Sequence, residues 1–330
     1  MKKVFCFGEL LLRYSPAFNR QWIKDAAMPV FIGGAELNVA TALANWLIPV
    51  KYGTALPDHA LSREIVQELQ HKNIDVSTIL FQGNRIGTYY LPQGADLKSA
   101  GVIYDRAGSS FGELKPGMID WNTALEDCDW FHFSAISPAL NENVAMVCKE
   151  ALEAASAKGL TMSVDLNYRS KLWQYGKQPK EVMPELVNHC QMIMGNMWAA
   201  ETLLGIEAPI KESLGKSNEE LLVAAKQSIA DLQKQFLAAE SVAYTFRLDS
   251  DYWVLLQKAD ETMSSQHFSV RNVIDKAGSG DCFMAGLIYG LKQRVPSQDI
   301  INYAASAAVG KLYEKGDSTN QTVEQIKARI

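Results

Sequence analysis

Long apolar runs, paired cysteines, low-complexity tracts and an excess of positive charge are all missing from this sequence of 330 residues. Nothing approaches the roughly 20 consecutive apolar residues of a membrane-spanning helix. The apolar start at 4–8 resembles a leader for only a few residues before Glu9 breaks it, too short for a secretory signal. Five cysteines, Cys6, Cys128, Cys148, Cys190 and Cys282, are odd in number and scattered. With no C-x-x-C pair among them, neither a disulfide framework nor a zinc site is indicated, and free thiols in the cytoplasm are expected. His59, His71, His132, His189 and His267 show no metal-ligand spacing. His132, inside an apolar run, reads as a satisfied core residue. With 32 Lys+Arg against 37 Asp+Glu, the formal net charge is −5. That balance excludes the overall basic field of a nucleic-acid or anionic-membrane binder, so neither is expected as a partner. No G-x-G-x-x-G follows the first apolar run, which argues against a dinucleotide-dependent dehydrogenase.

What is present is a soluble globular balance, 48% hydrophobic and 21% charged. A chain this long predicts one large domain with an attached subdomain, and no Pro/Gly/Ser linker divides 1–330. Strand-like runs at 4–8, 130–134, 161–166, 191–195 and 242–246 alternate with helical patterns at 35–46, 141–158, 196–204 and 219–236. On the first of these helices Leu37, Ala40, Leu43 and Ala44 share a face. The alternation predicts a mainly parallel sheet covered by helices on both faces. Two segments, 10–31 and 85–107, are extended, aromatic-rich and without helical period. They read as strands of a small lid sheet, or as plain surface hairpins.

Two glycine-rich helix starts carry the chemistry. In Asp275-Lys276-Ala277-Gly278-Ser279-Gly280-Asp281 the glycines expose backbone N–H groups at the positive end of a helix dipole, an anion site. Asp281 in the first turn is placed to take a proton from a hydroxyl attacking a phosphoryl group held there. The same stretch is also readable as an ordinary Gly-rich cap. In Gly33-Gly34-Ala35-Glu36-Leu37-Asn38-Val39-Ala40, Gly34 admits a ligand hydroxyl against main chain, and Asn38 offers donor and acceptor on the first turn.

Together the two stretches resemble the signatures of the ribokinase (PfkB) carbohydrate kinases, in the right order and over essentially the whole chain. Within them the chain is most similar to 2-keto-3-deoxygluconate kinases. That likeness rests on Gly8-Glu9, Tyr89, the run Ile103 to Ser109, His132-Phe133-Ser134 and Asp165-Leu166-Asn167-Tyr168-Arg169. The resemblance implies a three-layer α/β/α sandwich with a β lid, and ATP with Mg²⁺ as cofactors. It implies catalysis by Asp281 with Gly278, Ser279 and Gly280. Gly34, Asn38, Tyr89, Tyr104, Arg106 and Arg169 are then expected around a sugar acid, Arg106 gripping its carboxylate. Asn167, Asn196, Thr245, Arg247, Gly278 and Gly280 are expected around the nucleotide. A dimer through the lid is a further expectation.

Three departures stand out. The family's Asn-x-x-Glu, associated with magnesium, reads Asn196-Met197-Trp198-Ala199 here, with Glu201 two residues later. The glycine turn expected near the nucleotide reads Thr245-Phe246-Arg247-Leu248-Asp249-Ser250, where Arg247 offers charge instead. Lys276 stands where threonine is common. Competing readings are a kinase for a neutral sugar such as fructose or ribose, and a non-catalytic sugar-acid sensor.

Overall fold

Runs rich in Val, Ile, Phe and Met, apolar on both faces, form strands that must be covered on both sides. In a computed structural model, which describes residues 1–16, 27–92, 101–248 and 250–330, they build a ten-stranded sheet. From one edge the parallel strands run Ile74–Asp75, Val50–Gly53, Lys3–Phe7, Cys128–Ser134, Thr161–Asp165, Met192–Gly195 and Ser241–Arg247. Side-chain alternation splits each strand between two cores. Phe5, Phe7, Phe131 and Phe133 pack against the helices Glu142–Ala157, Pro179–Val187, Met197–Leu204 and Asn218–Gln235. Val4, Cys6 and Trp130 face Ala35–Asn45, Ala60–His71, Ser279–Gln293 and Ser297–Lys311. The three-layer sandwich expected from the alternation is present.

The sheet is less uniformly parallel than its sequence rhythm suggests. Asp251–Lys258 returns antiparallel on Ser241–Arg247, and Glu261–Ser264 and Phe268–Ser269 pair with it in turn. A connection of a few residues joins only antiparallel neighbours, and the short link after Arg247 therefore enforces the reversal. Asp249, within that link, lies outside the described residues. Helix edges shift where caps decide them. Asn141, Asn196 and Ser217 precede their helices as N-caps, each accepting a backbone N–H through its side chain.

The two aromatic segments do form a separate sheet, in the order Val30–Gly33, Leu11–Tyr14, Gly87–Tyr90, Ile103–Asp105. Its first strand reaches Gly33, beyond the expected boundary, while 17–26 and 93–100 lie outside the described residues. Arg13, Tyr89 and Tyr104 fall opposite one another across three strands, which puts them on one face. Tyr14 and Tyr90 stack on the opposite face with ring centroids 5.1 Å apart. The last strand ends at Asp105, so Arg106 lies just beyond it rather than on it with Tyr104.

Candidate active site

Parallel strands place their carboxyl ends along one rim, where loops leave room for a ligand. Here the rim opens into a cavity of about 790 Å³. Every residue expected around the sugar, the nucleotide or the reacting groups lines it: Gly34, Asn38, Tyr89, Tyr104, Arg106, Asn167, Arg169, Asn196, Thr245, Arg247, Gly278, Ser279, Gly280 and Asp281. Asn167 and Arg169 follow Thr161–Asp165, and Asn196 follows Met192–Gly195, so strand ends supply that wall. Gly34, at φ 137°, precedes the helix that carries Asn38.

The helix Ser279–Gln293 points its N-terminus at the cavity from Gly278, which adopts the left-handed conformation at φ 76°. A Cβ there would lie 1.8 Å from the Asp317 carbonyl oxygen, so both backbone angle and space demand glycine. Ser279 is held from below, its hydroxyl donating to the Ala308 carbonyl at 3.0 Å. Asp281 is buried, with Asn38 Nδ2 donating to its Oδ2 at 2.7 Å across the two glycine-led helices. Burial pushes the Asp281 carboxyl up to about 7, with nearby Asp165 and Asp317 adding to the rise and Asn38 and Arg169 opposing it. A buried carboxyl poised near neutrality beside free helix amides suits proton abstraction next to an anionic group. Glu36, also buried, is pushed to about 7 by burial, although Ser134 donates to it through N at 2.8 Å and Oγ at 2.6 Å.

Residues 1–323 match the pfkB family carbohydrate kinase profile. The chain belongs to the pfkB family of carbohydrate kinases. Among solved structures it is similar to the 2-dehydro-3-deoxygluconokinase of Thermotoga maritima, with TM-score 0.89, 30% identity and 99% of each chain covered. Among curated proteins it is 27% identical to the 2-dehydro-3-deoxygalactonokinase of Haloferax volcanii over 97% of this chain and 94% of the other. A 2-dehydro-3-deoxygluconokinase of Bacillus subtilis is 24% identical over 87% of this chain and 82% of its own. The chain is thus a carbohydrate kinase, a phosphotransferase.

Several buried pairings around this cavity carry no signature in the sequence. Arg13, 0% exposed, donates to Asp275 through Nη1 at 3.1 Å and Nη2 at 2.6 Å. Its Nε lies 2.7 Å from Asp317 Oδ1, an ion contact without hydrogen-bond geometry. Tyr89 donates its hydroxyl to Asp317, which lines the cavity. Lys311 is buried under the same turn, its ammonium donating to the Gly316 carbonyl at 2.8 Å. Burial draws the Lys311 ammonium below its usual range, while Asp275, Glu314 and Asp317 oppose the fall. These buried charges fasten 312–317 against the loop before Gly278. Sequence spacing offers no hint of the Arg13 and Tyr89 pairings, because their partners lie more than two hundred residues away.

The residues expected around a nucleotide have structural duties as well. Asn196 Oδ1 caps its helix by accepting from Ala199 N at 2.9 Å, which leaves Nδ2 available. Thr245 Oγ1 sits 3.5 Å from the Gly195 carbonyl. Glu201 does not take over from the missing glutamate, since its Oε1 pairs with Lys211 Nζ at 2.5 Å outside the cavity lining. Two other sequence readings are clear. His132 is a core residue with Nδ1 3.0 Å from Ser163 Oγ, and burial lowers it to about 3. Cys282 is packed, its thiol donating to the Ala307 carbonyl at 3.3 Å.

Proposed function

We propose that this kinase transfers the γ-phosphoryl group of ATP to the terminal hydroxyl of 2-keto-3-deoxy-D-gluconate, giving the 6-phosphate. The observation that carries the reading is that one cavity holds both Asp281 beneath a helix N-terminus and the Arg106 guanidinium. The first is a base beside an anion site. The second is a group that a neutral hexose does not require. The substrate named for the Thermotoga maritima neighbour supports it.

In this reading the sugar acid lies against Gly34 beneath the small sheet, which acts as a lid, with Arg106 and Tyr104 toward its acid end and Arg169 toward Asp281, where it meets substrate or the transferring phosphate. Asn38 orients Asp281 through the 2.7 Å hydrogen bond. Asp281 takes the hydroxyl proton as the oxygen attacks in line, and the amides of 278–281 receive the charge growing on the phosphoryl oxygens. Arg247, Asn167, Asn196 and Thr245 line the portion of the cavity assigned to the nucleotide. Mg²⁺, which neutralises phosphate charge, is expected to arrive with ATP. Among the described residues no cluster of three or more acidic, His or Cys ligands forms a dedicated metal cage, and magnesium typically keeps several waters and relies on substrate phosphates. Lid closure limits wasteful hydrolysis by excluding water.

Five buried free thiols suit a reducing cytoplasm. A dimer through the outer lid face is part of the proposal. Val30 and Ile103, 49% and 51% exposed, flank the stacked Tyr14 and Tyr90 there.

A coupled ADP-release assay with ATP·Mg²⁺ tests the reading against 2-keto-3-deoxygluconate, its galactonate epimer, fructose and ribose. Selective turnover of the keto acid is expected. Preference for the epimer or a neutral sugar would replace the substrate, and binding without turnover would favour a sensor.

A further inference from the structure

Glu9 follows the first strand, beside Gly8 and outside the two glycine-led helix starts, and lines the cavity at 3% exposure. Its Oε2 accepts from both Nε and Nη2 of Arg106, the former at 2.7 Å. Its Oε1 is buried and makes no hydrogen bond among the described residues. Gly87 leaves the room this pair needs. A Cβ at Gly87 would sit 2.4 Å from Glu9 Oε1 and 3.1 Å from Arg106 Cβ. Arg106 Nη1 makes no hydrogen bond among the described residues, while the guanidinium carbon lies 6.0 Å from the Tyr104 ring. One edge of the guanidinium fork is therefore spent on the protein, and Nη1 of this cavity-lining residue is left without a protein acceptor among the described residues.

We propose that Glu9 is a positioning and specificity-determining residue, which holds Arg106 in the orientation that receives the carboxylate of an acid substrate. This rests on the sugar-acid reading above. An arginine side chain carries about 2 kcal/mol of rotamer entropy. Fixing it before the substrate arrives lowers the cost of binding, as preorganisation does in general. Glu9 also neutralises the guanidinium in the empty site, so that a buried, unpaired charge does not have to be maintained there. The acid substrate then shares an already oriented guanidinium instead of recruiting a mobile one.

A double-mutant cycle with Glu9→Ala and Arg106→Ala tests this, read as KM and kcat for 2-keto-3-deoxygluconate and for fructose, with direct binding of the acid by calorimetry. Glu9→Ala is expected to raise KM for the acid about tenfold or more, the range of a lost charge-assisted contact, with a smaller fall in kcat. The double variant is expected to be no worse than Arg106→Ala, because both remove one recognition unit. Glu9→Gln keeps an acceptor for Nε and Nη2 and is expected to recover most of the acid affinity; Glu9→Met, which keeps the volume and removes the acceptor, carries the cycle if the alanine variant does not fold. Independent, multiplying effects in a wild type that prefers the acid would overturn the role of Glu9 alone. A wild type without preference for the acid would overturn the substrate reading and this role with it.

Discussion

Replacing Asp281 by asparagine separates what the site needs for chemistry from what it costs the fold. The carboxyl is buried and raised from its ordinary range to about 7. Its unfolded-state value is near 3.9. The group thus binds its proton more tightly when folded, and the stability this contributes is complete below about pH 4 and lost as pH rises through about 7. The full displacement corresponds to about 4 kcal/mol. Because Glu36 also sits near 7 and the two carboxyls repel, they titrate as a pair, and about 2–4 kcal/mol is assigned to Asp281. An amide is nearly isosteric, and its oxygen still accepts from Asn38 Nδ2, now 2.7 Å from Oδ2. Asp281→Asn should therefore stabilise the protein at pH 8 by about 2–4 kcal/mol, or about 3–6 °C in Tm for a chain of this length, with a smaller gain of about 1–1.5 kcal/mol at pH 5, just above the unfolded-state value. The same change should lower kcat by about 10²–10⁴, the range of a lost general base. Wild-type kcat/KM should rise with pH and level off above an inflection near 7. Thermal melts at pH 5 and 8, with steady-state kinetics on both proteins, check this. Equal stability differences at the two pH values would refute the electrostatic argument, and an unchanged kcat would refute the base assignment.

Other outcomes follow from the same geometry. Gly278→Ala forces a side chain into a left-handed position 1.8 Å from a carbonyl oxygen; backbone strain alone costs about 1–3 kcal/mol. Lower Tm and a loss of phosphoryl transfer larger than the loss of sugar affinity are expected from calorimetry and kinetics. Arg13→Ala leaves Asp275 and Asp317 buried without their shared cation. Denaturant titration should show a loss of about 3–5 kcal/mol, and Asp275→Asn in that background should restore part of it. For the lid dimer, Ile103→Asp should shift sedimentation toward the monomer without unfolding the chain; an unchanged sedimentation coefficient would remove that interface.

The sequence by itself determined the architecture and pointed to residues that line one cavity, since both rest on local signals. Short apolar runs and helical apolar patterns placed the strands and helices they predicted within a few residues, and the two glycine-led helix starts announced Gly34, Asn38 and the 278–281 turn. Tertiary structure alone decided how that chemistry is tuned. Asp281 gains its raised pKa from burial and from Asp165 and Asp317, against the opposing charge of Arg169, all residues that only folding brings near it. Arg13 is unremarkable in the run Leu11 to Tyr14, yet it pairs with carboxylates at 275 and 317. Glu9 meets Arg106 across almost a hundred residues. The antiparallel edge at Asp251–Lys258 likewise depended on a short link rather than on a pattern of its own. Electrostatics acts through distance in space, and the sequence records distance only along the chain.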